Sequence, residues 1–277
     1  VKKLNELIVS SAAYRRSSRH PDVDALDASD PKRLLYAVQQ PRRLTAEELR
    51  DAMLAASGEL NRQVGGLPAR PDLNREVALQ PRQIMGGTAS VYEPDSLPAQ
   101  RNRRSLYAEK VRGLRDPFFE AFNQPGPDKS CELREPSTVA PQALTLFNAE
   151  AGHERALACA ARLLKESKSD EAAVKRGFEL ALGRPASPDE LATCLDHWTA
   201  ATAEESGRTY APRQFPAGIT RTVMAEKTGE PYQFWEEMPA YREYVPDLQR
   251  HQVDARTRGL AQVCLVLFNL NEFSYLD

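Results

Sequence analysis

The chain contains no long hydrophobic run. Nowhere do about 18 apolar residues follow one another, so no segment reads as a membrane-spanning helix, and the start lacks the charged-then-apolar pattern of an export signal. Cysteine is scarce: there are four in 277 residues, Cys131, Cys159, Cys194 and Cys264, with no C-x-x-C and no C-x-x-C-H. That spacing removes haem-attachment and zinc-ribbon readings from this segment, and the expectation is that it carries no cofactor. Neither sign of charge is in excess. The net charge of −2 gives no global pull toward nucleic acid or an anionic membrane surface. G-x-S-x-G, H-E-x-x-H and D-x-D-x-D-G are all missing, so nucleophilic-serine, helix-borne zinc and calcium-loop chemistry lack their usual carriers. No specific reaction is written here, and the balance leans against an enzyme.

Proline, by contrast, is plentiful. There are twenty, and thirteen of them cluster in 67–71, 94–98, 125–141 and 212–246, which predicts long ordered loops between helices. Helical spacing appears at 2–14 through Leu4, Leu7, Ile8 and Ser11, followed by a loop rich in turn formers. Thr45 and Glu48 form a capping box ahead of Leu49, Ala52, Met53 and Ala56, and Gly58 closes that helix. Asp116 and Pro117 open a short helix through Phe118, Phe119 and Phe122. A long helix over 149–165 keeps Leu157, Ala160, Ala161 and Leu164 on one stripe. Another runs over 170–182 with Val174, Phe178, Ala181 and Leu182 on one face, and Gly183 and Pro185 end it. Ser187, Pro188 and Glu190 then start the second arm of an αα-hairpin, which carries Leu191, Leu195 and Trp198. A last helix, 254–268, buries Leu260, Val263, Cys264, Leu267 and Phe268.

The expected class is therefore mainly α: an irregular helical domain of at least six helices, with long Pro-rich loops and minor β content near 104–111. We expect one domain over 1–277, comprising a loop-rich helical half (1–123) and a helical half (124–277) interrupted by 204–250. That interruption holds seven aromatics and five prolines and reads as an ordered lid or a recognition loop. Because Val1 opens in what reads as mid-helix, the chain is expected to be the C-terminal fragment of a larger protein.

The most distinctive stretch is 128–148, DKSCELREPSTVAPQALTLFN. Pro141 suits the first turn of a helix beginning near Ala140, Ser137 or Thr138 can cap it, and Asn148 fits a left-handed closing position. Cys131, Arg134, Ser137, Thr138, Val139, Pro141, Gln142, Ala143, Leu144 and Asn148 together resemble the C-x-x-R, S-T-V-x-P-Q-A-L, L-x-N hallmark of a planctomycete-type secreted domain of unknown function. LIVSSAAYRRSS, ELALGRPASPDEL and the closing LVLFNLNEFSYLD resemble other parts of the same family. The resemblance implies export to the periplasm or outside the cell. It also implies upstream domains of the same polypeptide, including haem-bearing cytochrome-c-like ones, as partners, and a link to surface polysaccharide. It supplies no catalytic residues.

Several residues invite sharper readings, each with a plainer rival. Arg101, Arg103, Arg104 and Arg112 lie in a basic stretch, and with Arg134 they could line a pocket for a carboxylate, sulfate or acidic sugar. Local pairing of these arginines is the plainer account. Cys194 and His197 share a helix as a possible ligand pair, against a core cysteine beside an exposed histidine. Cys131, near Lys129 and Arg134, sits where a thiolate is favoured; a disulfide, a free structural thiol and a loop anchor are its alternatives. Glu236 and Glu237 could be a sugar-binding acid pair, but adjacent side chains point apart on most backbones. Gly65-Gly66 and Gly86-Gly87 read as turns, since no Lys-Ser/Thr follows either pair. Arg134 itself is expected to be buried on an acidic or backbone acceptor, tying the 101–122 region to the helices after it. Two functions compete: a non-catalytic interaction or scaffold module of an exported multidomain protein, and an enzyme or binding domain acting on an extracellular acidic or sulfated polysaccharide through the arginine-lined pocket.

Overall fold

The computed structural model describes residues 1–84, 87–128, 130–134, 137 and 139–276, without the side chains of Gln83 and Ile84. Thr138, Gly86 and Lys129 lie outside the described residues. Helices α1 (Lys2–Val9) and α2 (Val23–Ser29) precede strand β1 (Arg42–Arg43) and helices α3 (Ala46–Ser57) and α4 (Arg75–Ala78). Strands β2 (Arg82–Ile84) and β3 (Gly87–Ala89) lead to two short helices, α5 (Pro98–Arg101) and α6 (Pro117–Ala121). A helical run follows: α7 (Ala140–Asn148), α8 (Glu150–Glu166), α9 (Asp170–Leu182) and α10 (Pro188–Ser206). Strands β4 (Gly218–Met224) and β5 (Pro231–Glu237) separate it from α11 (Ala255–Asn269), α12 (Asn271–Ser274) and β6 (Tyr275–Leu276). With 47% helix and 10% strand among the described residues, the class is mainly α with minor β. The strands pair as three two-stranded antiparallel ladders, β1 with β6, β2 with β3 and β4 with β5.

The chain divides into two compact units, residues 1–44 with 271–277, and residues 45–270. In the first, α1 stops at Val9, short of the expected 14. The Ser10 hydroxyl donates to the Glu6 carbonyl and the Ser11 hydroxyl to that of Ile8, local bonds that compete with helix continuation. Leu4, Leu7 and Ile8 stay exposed along α1. The buried Asp30 carboxylate accepts the Leu34 and Leu35 amides, both at 2.8 Å, and so fixes the loop after α2.

The second unit is organised by α8, α9, α10 and α11, with α3 against α8 and α9. Leu157 and Leu163 of α8, Phe178 of α9, Trp198 of α10, Leu260 and Phe268 of α11 and Leu49 and Met53 of α3 form its core. On α8 the buried stripe runs through Ala156, Leu157, Ala160 and Leu163, and Leu164 is only half-buried. The capping boxes at Thr45/Glu48 and Ser187/Glu190 are present, and Gly58 and Gly183 close their helices in the left-handed conformation, φ 81° and 69°.

Three local expectations are corrected. Residues 104–111 are not a strand: Ser105–Tyr107 is a 3₁₀ turn flanked by the single bridges Asn61–Arg103 and Ala69–Ala108. Side chains of α3 and the backbone of Ala69, rather than a partner strand, hold that stretch. Asp51 accepts the Ser105 amide at 2.8 Å, and Arg50 donates to the Arg101 and Arg103 carbonyls at 2.8 and 2.9 Å. The longest ladder lies instead within 204–250, as the hairpin β4–β5, registered from Gly218 opposite Glu237 to Met224 opposite Pro231. Finally, Asn148 is the last helical residue of α7 and not a left-handed cap. The chain turns at the extended Ala149 straight into α8, and Gly152 makes this corner possible because a Cβ there would sit 2.8 Å from the Leu146 carbonyl oxygen.

Candidate functional site

Ala149 aims the first two turns of α8 at a cavity of about 340 Å³ in the 45–270 unit. Glu150 and Glu154, one helical turn apart, lie on its wall. The next residue, Arg155, is buried and carries the main electrostatic link. Its Nη1 lies 2.9 Å from Glu59 Oε2, its Nη2 donates to Asp247 Oδ2 at 2.7 Å, and Glu154 Oε2 is 3.7 Å away. Asp247 continues the chain of charges, with Oδ1 accepting from Arg101 Nη2 at 3.3 Å and from Asn102 Nδ2 at 3.4 Å. Arg101 Nε in turn lies 2.8 Å from Asp72 Oδ2, an ion pair made off the N–H direction. Asp72 accepts the Tyr244 hydroxyl at 2.7–2.8 Å. One network thus runs Glu59, Arg155, Asp247, Arg101, Asp72, Tyr244. Removing any single buried charge from it would leave a partner uncompensated.

The 204–250 segment supplies another part of the lining, including Arg213, Phe215, Met238 and Tyr241. Phe215, Tyr241 and Tyr244 form an aromatic group with centroid separations of 4.6 Å for Phe215–Tyr244, 5.3 Å for Tyr241–Tyr244 and 6.1 Å for Phe215–Tyr241. The Arg101 guanidinium lies 4.3 Å from the Tyr244 ring centroid. Arg213, also from this segment, reaches across to α8, donating to Glu150 Oε1 at 2.5 Å and to Glu154 Oε1 at 3.4 Å. Burial, supported by the nearby carboxylates Glu150, Asp247 and Asp72, pushes the Glu154 carboxyl up to about 7, against the pull of Arg155. Burial also raises Asp72 and Glu59 above the ordinary carboxylate range, and it raises Tyr241 and Tyr244. The site can therefore offer fixed carboxylate acceptors, a protonatable carboxyl and an aromatic face.

The five arginines singled out by sequence do not line this cavity. Arg101 is fully buried behind it, donating also to the Asp95, Ser96 and Val245 carbonyls at 2.8–2.9 Å. Arg103 clamps the 63–67 loop through the Leu67 and Gly65 carbonyls and stacks 4.4 Å from the Tyr107 centroid. Arg104 and Arg112 are exposed. Arg134 has the acidic partner that was expected but not the burial: its side chain keeps 37% exposure while making two bonds to Glu47, at 2.7 and 2.8 Å.

In the hallmark loop, Ser137 does not cap α7. It accepts from Asn123 Nδ2 at 2.6 Å and from Gln142 Nε2 at 3.3 Å. Gln142, 1% exposed, donates to the Ala121 carbonyl at 2.9 Å and accepts the Val139 amide, so it ties α6 to α7. Cys131 is an exposed free thiol donating to the Leu133 carbonyl at 3.1 Å. Glu236 faces inward onto the buried Arg221 and Glu237 faces outward to Arg242, 3.1 Å away, so they are not an acid pair. Cys194 is half-buried, which raises its thiol, and among the described residues no three metal-ligating side chains gather.

Sequence reasoning missed Asp72, Glu154, Arg155, Tyr241, Tyr244 and Asp247, because they meet from three separate stretches. Arg155 alone left a local trace, a charge on the helix face that also presents the buried Gly152, Ala156 and Cys159.

No curated protein and no solved structure matches the chain. A family model described as PSD1, protein of unknown function (DUF1553), matches residues 1–198, which takes in Asp72, Glu154 and Arg155 and ends inside α10, before Arg213, the aromatic wall and Asp247. With that match over more than two thirds of its length, the chain belongs to the PSD1 family of proteins of unknown function (DUF1553).

Proposed function

We propose that the chain is a non-catalytic interaction module of an exported multidomain protein, with haem-bearing upstream domains as its neighbours, and that the cavity of its 45–270 unit binds a saccharide. The observation carrying this reading is the pairing of Phe215 and Tyr241, which pack against Tyr244, with the carboxylates Asp72, Glu154 and Asp247 around one cavity. A sugar ring has an apolar C–H face that suits an aromatic wall and a rim of hydroxyls that suits fixed acceptors. The charged lining nearly balances, Arg50, Arg75, Arg155 and Arg213 against Asp72, Asp116, Glu150, Glu154 and Asp247, which favours a neutral sugar unit here over a polyanion. Asp72 and Asp247 are already held by arginines and Tyr244, so they serve as positioned acceptors rather than nucleophiles. The test is calorimetric titration of the folded chain with a panel of neutral mono- and oligosaccharides. At least one should bind, and Tyr241→Ala should weaken it about tenfold or more, on the scale of a lost aromatic contact. A folded protein that binds none of the panel would refute the reading.

One observation favours a second reading. The Glu154 carboxyl, raised to about 7, is poised as a general acid. Turnover of a bound glycan that is lost in Glu154→Gln while binding persists would replace the non-catalytic module with a glycosidase.

A further inference from the structure

A second cavity, of about 290 Å³, adjoins the first. Glu150, Glu154 and Arg213 line both, so these three side chains form the partition between them. On the far side the lining changes character and is supplied by His153, Tyr210, Arg250 and His251. Every other arginine in this neighbourhood is committed to a carboxylate. Arg213 bonds Glu150, and Arg258 Nε donates to Glu205 Oε2 at 2.8 Å. Arg250 is the exception. It is half-buried and lines the cavity, and among the described residues no carboxylate comes within ion-pair distance of it.

Its guanidinium is nevertheless held in place. Nη2 donates to His153 Nδ1 at 3.3 Å, and the Tyr210 ring lies 5.4 Å from the guanidinium carbon. An arginine has no acceptor, so His153 Nδ1 must be the acceptor and that ring is neutral. Burial, reinforced by the Arg250 charge, lowers the His153 pKa in the same sense. What results is a positioned cation with donors left over, beside the exposed His251, in a cavity of ligand size. Fork-like pairing to a planar or tetrahedral oxyanion is the chemistry such an arginine provides.

We propose that this second cavity is an anion subsite, in which Arg250 recognises a carboxylate or sulfate carried on the sugar unit next to the one in the first cavity. The inference rests on the saccharide reading of the first cavity and narrows the ligand to an acidic oligosaccharide. The acidic-glycan specificity expected of the sequence's arginine cluster would thus fall to Arg250 instead.

The experiment measures affinity by calorimetry for three tetrasaccharide probes: an oligogalacturonate, its fully methyl-esterified form, and a sulfated galactan fragment. The wild-type chain should bind at least one acidic probe tenfold or more tighter than the ester, and the preferred probe identifies carboxylate or sulfate as the recognised group. That preference should weaken with added salt while ester binding does not. Arg250→Gln should bring acid-to-ester ratios close to one, and Arg250→Lys should restore part of the difference. Should Arg250→Gln fail to fold, the salt dependence and the Lys variant decide. Equal affinity for acid and ester in the wild type, or a preference unchanged in Arg250→Gln, overturns this inference and leaves the saccharide reading standing. Binding of no probe, together with a blank neutral panel, overturns both.

Discussion

Replacing Glu154 by glutamine should make the protein more stable at neutral pH and less so, relative to wild type, in acid. Glu154 sits where Arg155, 3.7 Å away, and Arg213, 3.4 Å away, favour its ionised form. Burial and the carboxylates Glu150, Asp247 and Asp72 outweigh them and lift it to about 7 from an ordinary 4.5. A carboxyl with a raised pKa stays protonated in the folded chain after the unfolded chain has lost its proton. Between the two values the folded state therefore binds more protons, and stability falls as pH rises from about 4.5 through 7. The full displacement corresponds to roughly 3 kcal/mol. Because 31% of the side chain remains exposed, solvent screening reduces this to about 1–2 kcal/mol. Urea denaturation at pH 5, 6, 7 and 8 would measure it. Wild-type stability should decline across the series, while Glu154→Gln, which cannot ionise, should be flatter and gain about 1–2 kcal/mol over wild type by pH 8. Parallel pH slopes in the two proteins, or a Glu154 carbon resonance titrating near 4.5, would refute the electrostatic picture of the site.

Arg134→Ala should cost only about 1 kcal/mol at pH 7, because the pair with Glu47 is partly open to solvent despite its two good bonds. Although burial pushes Glu47 upward, the hydrogen bonds from Arg134 and Gln124 bring it down to about 2. The stabilisation is therefore fully present above pH 4.5 and should fade as pH falls toward 2, so denaturation curves of variant and wild type should converge in acid. Gly259→Ala should destabilise by about 2–3 kcal/mol in thermal or urea melts, since the new methyl would meet the Thr202 side chain and sit 2.8 Å from its backbone nitrogen where α11 crosses α10.

The sequence by itself determined most of the helical framework. Capping chemistry is local: Thr45 with Glu48 and Ser187 with Glu190 satisfy the open amides of their own first turns, and Gly58 and Gly183 free their helix ends to turn left-handed. Apolar spacing picked out Met53, Phe178, Trp198 and Phe268 for the same reason, since one helix face carries its own record of burial. The 104–111 stretch misled because its alternation imitates a strand, whereas its backbone is fixed by Arg50 and Asp51, more than fifty residues away. The candidate site was hidden by the same distance. Asp72, Glu154, Arg155 and Asp247 are ordinary surface residue types in the sequence, and only tertiary packing sets an arginine between Glu59 and Asp247 or presses Glu154 among three other carboxylates. The arginine cluster shows the converse: a run of like charge is legible, but which guanidinium finds a partner is not. Arg101 found Asp72 and Asp247, Arg134 found Glu47, and Arg250, in no cluster at all, has no carboxylate partner among the described residues, because pairing depends on which side chains the fold brings within a few ångströms.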